Sequence, residues 1–127
     1  MGRRVLLVDD DVLVLEIIAY MLADLGCDTV TARSGTEALG TIANDNTIEV
    51  LISDINMPGL AGSELAERAR AYRPQMKVIL LTGGPADSRG FPLLRKPFAQ
   101  SDLQRVMAET TVDPTDRAGG KRRAGVE

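Results

Sequence analysis

The sequence predicts an α/β domain built on one doubly wound, five-stranded parallel sheet. Segments of strand and helix pattern alternate along all but the last residues, and right-handed crossovers place each such helix back on a parallel sheet. Two apolar runs, Val5-Leu6-Leu7-Val8 and Val50-Leu51-Ile52, stop abruptly at carboxylates, in Asp9-Asp10-Asp11 and in Ser53-Asp54. Short apolar runs bounded by polar turn signals are the pattern of strands buried on both faces. The 127 residues allow one domain with a real core.

Arg4 to Val8 reads as the first strand, and the amphipathic stretch from Val12 to about Leu25 as a helix closed by Gly26. Leu15, Ile18, Leu22 and Leu25 follow helical spacing and are expected to face the sheet. Asp28 to Ala32 alternates and is rich in β-branched residues, which predicts the second strand. Ser34 and Glu37 have capping-box spacing and open a helix to about Asn44. Val50 to Ser53 is the third strand. Pro58, Gly59 and Gly62 shape the loop after Asp54 and lead into a helix from Ser63 to Tyr72. Lys77 to Leu81 and Leu93 to Arg95 are the fourth and fifth strands. Ser101 and Gln104 match a second capping box, opening a last helix to about Thr110 with Leu103, Val106 and Met107 inward.

One connection departs from the alternation. Only residues 83 to 95 separate Thr82 from Lys96, and the fifth strand takes several of them. Gly83, Gly84, Pro85 and Gly90 all oppose helix. The helix that would join the fourth and fifth strands is therefore expected to be absent or reduced to about one turn. Residues 1–111 are expected to form the domain. Residues 112–127 hold Pro114, Gly119, Gly120 and Lys121-Arg122-Arg123 with almost nothing apolar, which predicts a disordered tail.

Composition excludes several function classes. A formal charge of -3 argues against a general nucleic-acid binder, and no apolar stretch is long enough to span a bilayer or to act as a signal peptide. A soluble, cytoplasmic protein is expected. Cys27 is the single cysteine, so one chain offers neither a disulfide nor a Cys-based zinc site. The chain has no histidine, hence no imidazole base or ligand. Any metal must be held by oxygen, which suits magnesium, manganese or calcium.

Ligands of open parallel sheets gather at the carboxyl ends of strands, beside the point where strand order reverses. With the first and third strands adjacent, Asp9, Asp10 and Asp54 come within a few ångströms. Three such carboxylates repel and raise one another's pKa values, and a divalent cation resolves the conflict. Thr82 ends the fourth strand and Lys96 follows the fifth, so a hydroxyl and an ammonium flank the same place. That set suits charge developing on a phosphoryl group, with Asp54 as nucleophile. Taken singly, Asp54 is an ordinary turn carboxylate, Thr82 a strand end and Lys96 a solvated cation; their joint placement carries the functional reading. Asp11 reads as the N-cap of the first helix.

Val8-Asp9-Asp10, Asp54-x-x-Met57-Pro58-x-x-x-Gly62, Leu81-Thr82 and Lys96-Pro97-Phe98 together resemble the receiver domain of two-component response regulators. The resemblance covers about Arg4 to Thr110. It implies a flavodoxin-like sheet of strand order 2-1-3-4-5, Asp54 as phosphoacceptor, and Mg2+ held by Asp9, Asp10, Asp54 and the Asn56 carbonyl. It further implies Thr82 and Lys96 as phosphoryl-contacting residues, a cis Lys96-Pro97 bond, and a histidine kinase or histidine phosphotransfer protein as donor. Val14, Ile17 and Met21 form a second apolar strip on the first helix. They are read either as a docking face for that donor or as a broad core stripe.

Two departures bear on signal output. The aromatic residue usual three positions before the lysine is Leu93 here, and Gly83-Gly84 follows the threonine where alanine is common. The expected function is a phosphorylation-activated receiver, enzymatic only on itself, with an unnamed downstream protein and no direct contact with nucleic acid or membrane. The chain is expected to be a stand-alone receiver or the terminal receiver of a hybrid kinase. The rival from the binding class is a receiver-like interaction module with degenerate switching. The rival from the enzyme class, a phosphatase of the haloacid dehalogenase kind, is matched only loosely by Asp9-Asp10-Asp11.

Overall fold

A computed structural model describes residues 3–109. Five strands, β1 (Arg4–Val8), β2 (Asp28–Ala32), β3 (Val50–Asp54), β4 (Lys77–Thr82) and β5 (Leu93–Arg95), form one sheet in the order β2-β1-β3-β4-β5. Every neighbouring pair is parallel. The described helices are α1 (Val12–Asp24), α2 (Gly35–Asn44), α3 (Gly62–Tyr72) and α4 (Gln100–Glu109). β3 and β4 each run one residue further than their sequence pattern predicts, so Asp54 and Thr82 are the last residues of strands.

Side chains alternate across the inner strands and give the sheet two apolar faces. Leu6, Val8, Leu51, Val78 and Leu80 pack with Ala38 and Ile42 of α2 and Leu65, Ala66 and Ala69 of α3. Val5, Leu7, Ile52, Ile79 and Leu81 pack with Leu15, Ile18 and Leu22 of α1 and Leu103, Val106 and Met107 of α4. Leu25 and Cys27 are half-buried at the edge of the second cluster. Two-sided burial is why these strands read as continuous apolar runs.

Local chemistry sets the helix ends. Asp11 caps α1 by accepting from the Leu13 and Val14 N–H groups. At the other end the Cys27 N–H reaches the Leu22 carbonyl and the Gly26 N–H reaches that of Ala23, with Gly26 at φ +85, a Schellman closure. Ser34 caps α2 by accepting from Glu37 N–H, while the Glu37 carboxylate takes the N–H of Arg33, one residue further back than a standard box. The Arg73 guanidinium, from a distant segment, donates to the Ile42 carbonyl in the last turn of α2 and to the Asp45 and Ile48 carbonyls beyond it.

The start of α4 differs from its sequence pattern. Helix begins at Gln100, and the first intrahelical bond runs from Leu103 N–H to the Ala99 carbonyl, so Ser101 lies inside the first turn rather than at the cap. Asp102 supplies the returning carboxylate by accepting from Ala99 N–H. The predicted end of this helix at Thr110, and the predicted disorder of 112–127, lie outside the described residues.

No helix interrupts the path from β4 to β5, as the glycines and the short length required. Residues 83–92 instead form a strap over α3 and the adjacent sheet, with Ala86 and Phe91 packed on the buried cluster that contains Val78 and Leu80. Arg89 pairs with Glu67 of α3 at 2.7 Å, and the Arg70 guanidinium of α3 lies 5.6 Å from the centre of the Phe91 ring. Arg89 and Gly90, at φ 52 and φ 86, turn the strap back toward β5.

Candidate functional site

The register of β1 on β3, with Val8 opposite Ser53, sets Asp9 beside Asp54 at the carboxyl end of the sheet. Both are buried, at 1% and 6% exposure, while Asp10 is exposed. Carboxylate oxygens of Asp9, Asp10 and Asp54 lie within 4.8 Å of one another. Asp9 Oδ1 accepts the Asp11 N–H at 2.9 Å, which fixes the turn that delivers Asp10 to the cluster.

Lys96 reaches the same place from beyond β5. Its Nζ is 3.4 Å from Asp54 Oδ1 and 3.5 Å from Asp9 Oδ2, distances that mark ion pairing rather than short hydrogen bonds. The peptide that follows Lys96, Lys96-Pro97, is cis, as the resemblance implied. Burial pushes the Asp54 carboxyl above its ordinary pKa; Lys96 opposes that shift, and the negative charges of Asp9 and Asp10 add to it. The carboxylate is thus held in its least comfortable form.

The loop after β3 is shaped by close backbone approach. Ile55 N–H bonds to the Leu81 carbonyl and Gly62 N–H to the Ile55 carbonyl. A Cβ at Gly62 would lie 2.2 Å from the Asp54 carbonyl oxygen and 2.8 Å from Ile55 Cα, so only glycine fits. Gly59, at φ +76, makes the turn that precedes it.

Asp9, Asp10, Asp54 and Lys96 are therefore brought together. Asn56 lies exposed in the loop two residues beyond Asp54. Thr82 is fully buried at the end of β4, but its hydroxyl is engaged locally: Oγ1 donates to the Gly84 carbonyl at 2.7 Å and accepts the Gly84 N–H at 3.2 Å. Nothing in the sequence pattern singles out Gly84 as the partner of that hydroxyl.

Beside the acidic cluster, Val14, Ile17, Ile18 and Met21 of α1 and Lys96, Pro97 and Phe98 line a cavity of about 330 Å3. The apolar strip predicted on α1 is largely unburied: Ile17 is 62% exposed, and Val14 and Met21 are half-buried. Leu13 and Tyr20, at 69% and 77% exposure, extend it beyond the residues the helical spacing picked out. No helix among the described residues is long and apolar enough to cross a membrane.

The sequence matches the family model of the response regulator receiver domain over residues 5–108. It is 32% identical over 111 residues to response regulator MprA of Mycobacterium tuberculosis (strain H37Rv), covering 81% of this chain and 48% of that protein. It is 37% identical over 79 residues to the transcriptional regulatory protein GlrR of Escherichia coli K12, covering 62% of this chain and 18% of that one. The chain thus spans half or less of the length of these relatives. Among solved structures, a response regulator receiver domain protein from Clostridium thermocellum superposes with a TM-score of 0.79 at 32% identity, covering 85% of this chain and 93% of that one. The response regulator TrrA of Thermotoga maritima, solved in complex with Mg(2+)-BeF, gives 0.78 at 29%, covering 85% and 98%. With its fold, its acidic cluster and these matches in agreement, the chain belongs to the response regulator receiver domain family of two-component systems.

Proposed function

We propose that this domain is a phosphorylation-activated signalling receiver that accepts a phosphoryl group on Asp54 from a phosphohistidine protein. The observation that carries the reading is Asp54 itself, a buried carboxylate at a strand end with two further carboxylates and one ammonium around it. In the transfer, an Asp54 carboxylate oxygen forms a P–O bond as the donor's P–N bond breaks, and the imidazole leaves with the bonding electrons and a proton from solvent. The product is an acyl phosphate. Lys96, within 3.5 Å of Asp54 and Asp9, orients toward the added phosphoryl charge.

The three carboxylates fit a hard divalent cation, because all donors are oxygen and their mutual repulsion is relieved by it. Asp9, Asp10, Asp54 and the Asn56 carbonyl would hold Mg2+, which supplies charge neutralisation for the incoming phosphoryl oxygens. Thr82 is assigned a phosphoryl contact that requires its hydroxyl to leave Gly84. The α1 strip of Val14, Ile17 and Met21, next to Phe98 and the site, suits a helix that carries the donor histidine, from a kinase or phosphotransfer protein. A downstream protein then reads the loaded state. We assign the domain to 1–111 and the protein to the cytoplasm, with catalysis limited to gain and loss of its own phosphoryl group.

Incubation with Mg2+ and acetyl phosphate tests the reading. A single phosphoryl mass that maps to Asp54 and disappears in Asp54→Asn or with chelator is expected. No labelling, or labelling that survives Asp54→Asn, would overturn it.

A further inference from the structure

The amino end of the sheet, opposite the acidic site, carries a cavity of its own. Arg3 before β1, Glu49 before β3, Lys77 at the start of β4 and Arg73 after α3 line a space of about 450 Å3. That volume lies in the range of small-molecule sites. Its floor is apolar, formed by Ile48, Val50 and Met76, none more than 2% exposed. Backbone bonds fix the rim: Glu49 N–H donates to the Arg4 carbonyl, Lys77 N–H to that of Glu49 and Met76 N–H to that of Arg73. Arg70 Nε holds the Met76 carbonyl at 2.7 Å. The cavity is therefore preformed.

Its charge is opposite to that of the chain. Three cations, Arg3, Arg73 and Lys77, face one carboxylate, Glu49, in a protein whose formal charge is -3. Two of the cations are guanidiniums with donors to spare. Arg73 is held in place by the Ile42, Asp45 and Ile48 carbonyls, which leaves two of its five N–H groups without a partner among the described residues. Arg3 makes one long bond, 3.4 Å to the Met107 carbonyl, and keeps four. Arginine forks match the oxygens of a phosphate or carboxylate, and an arginine already pinned by its own protein loses little freedom on binding one.

We propose that this cavity binds a nucleoside monophosphate, with the phosphate between Arg3 and Arg73 and the nucleoside over Ile48, Val50 and Met76. A bare phosphate leaves most of the volume and the apolar floor unused. The Gln75 amide and the Glu49 carboxylate, both exposed at the rim, supply a donor and acceptors for the base edge and the sugar hydroxyls. The bound ligand ties together the starts of β1, β3 and β4 and the end of α3. It stabilises the domain by mass action. The length of β3 separates it from Asp54, so it competes with neither a metal nor a phosphoryl group there.

Amide NMR of the full chain in EDTA tests this, with AMP, GMP, CMP, UMP, inorganic phosphate and adenosine as separate titrants. At least one nucleotide is expected to shift the Glu49, Gln75 and Lys77 amides saturably and to leave those of Asp10 and Lys96 in place. It is expected to bind at least tenfold tighter than inorganic phosphate or adenosine. Arg3→Gln should weaken that nucleotide at least fivefold. Arg33→Gln, which removes the same charge at the other end of the sheet, should leave its affinity unchanged. No shift with any nucleotide, shifts centred on Asp10 and Lys96, or equal affinity for inorganic phosphate would overturn the proposal. Equal weakening by the two variants would do so as well, because it would reduce the effect to net charge. None of these outcomes involves Asp54, so the reading of that residue as phosphoacceptor stands or falls separately.

Discussion

Lys96 Nζ lies 3.4 Å from Asp54 Oδ1, and the same ammonium is 3.5 Å from Asp9 Oδ2. One cation is therefore shared by two of the three carboxylates that would hold Mg2+. Lysine and metal compete for the same negative charge. Lys96→Met is expected to tighten Mg2+ binding to the unphosphorylated protein by about tenfold, a coulombic gain discounted for partial exposure. Calorimetric titration with MgCl2 measures it, and unchanged or weaker binding would show that Lys96 does not neutralise the cluster.

Asp54 carries a second consequence. Its folded-state pKa is raised, first by burial and then by Asp9 and Asp10 against the pull of Lys96. A raised carboxyl favours folding when protonated and loses that contribution as pH rises through the folded value. At neutral pH the ionised group therefore opposes folding of the metal-free domain. Asp54→Asn should raise the Tm in EDTA at pH 7, with the gain shrinking on acidification. Mg2+ should raise the Tm of the native sequence more than that of the variant. An Asp54→Asn protein that melts lower in EDTA would refute this sign.

The difference between the legible and illegible parts of this chain is one of range. β1, β3 and β4 declare themselves because two-sided burial leaves a run such as Val5-Leu6-Leu7-Val8 with no polar interruption. The acidic cluster is legible for the same reason, since carboxylates abutting those runs must stand at strand ends. The absent crossover helix follows from the residues between Thr82 and Leu93, where glycine and proline leave no helical turn. The start of α4 is ambiguous in the sequence because two cap patterns overlap, and Asp102 rather than Gln104 supplies the side chain that returns to the cap. Contacts between distant segments had no local mark at all. Arg73 closing α2 and Arg89 clasping Glu67 depend on how the elements pack.

Gly62 and Gly40 should respond in opposite directions to the same change. Gly62→Ala forces a Cβ into the backbone of Asp54 and Ile55, and rigid backbone cannot yield as a side-chain tip can. It is expected to destabilise by about 1–3 kcal/mol or more and to slow labelling of Asp54, whose own carbonyl must move. Gly40 lies inside α2 with open space at its Cβ position. Gly40→Ala should stabilise by roughly 0.5–1 kcal/mol and leave labelling unchanged. Urea melts with acetyl phosphate labelling of both variants check the contrast, and equal effects would remove the steric account.

Asp45 should give the domain an acid-sensitive fastening far from the phosphoryl site. Its carboxyl is lowered from 3.8 to about 2, chiefly by hydrogen bonds from the hydroxyl and N–H of Thr47 and then by Arg4. Arg4 also pairs with Asp28, so one guanidinium links β1 to β2 and to the residue after α2. A depressed carboxyl contributes stability above its unfolded pKa and loses it as pH falls through the folded value. Asp45→Asn should therefore lower the Tm at pH 7, and the gap to the native sequence should close between about pH 4 and pH 2. Asp28→Asn should cost less, because Asp28 is far more exposed than Asp45 and an exposed ion pair is screened. Thermal melts of both variants across that range decide the matter: a gap for Asp45→Asn that persists unchanged at pH 2 would place its effect in packing rather than in charge.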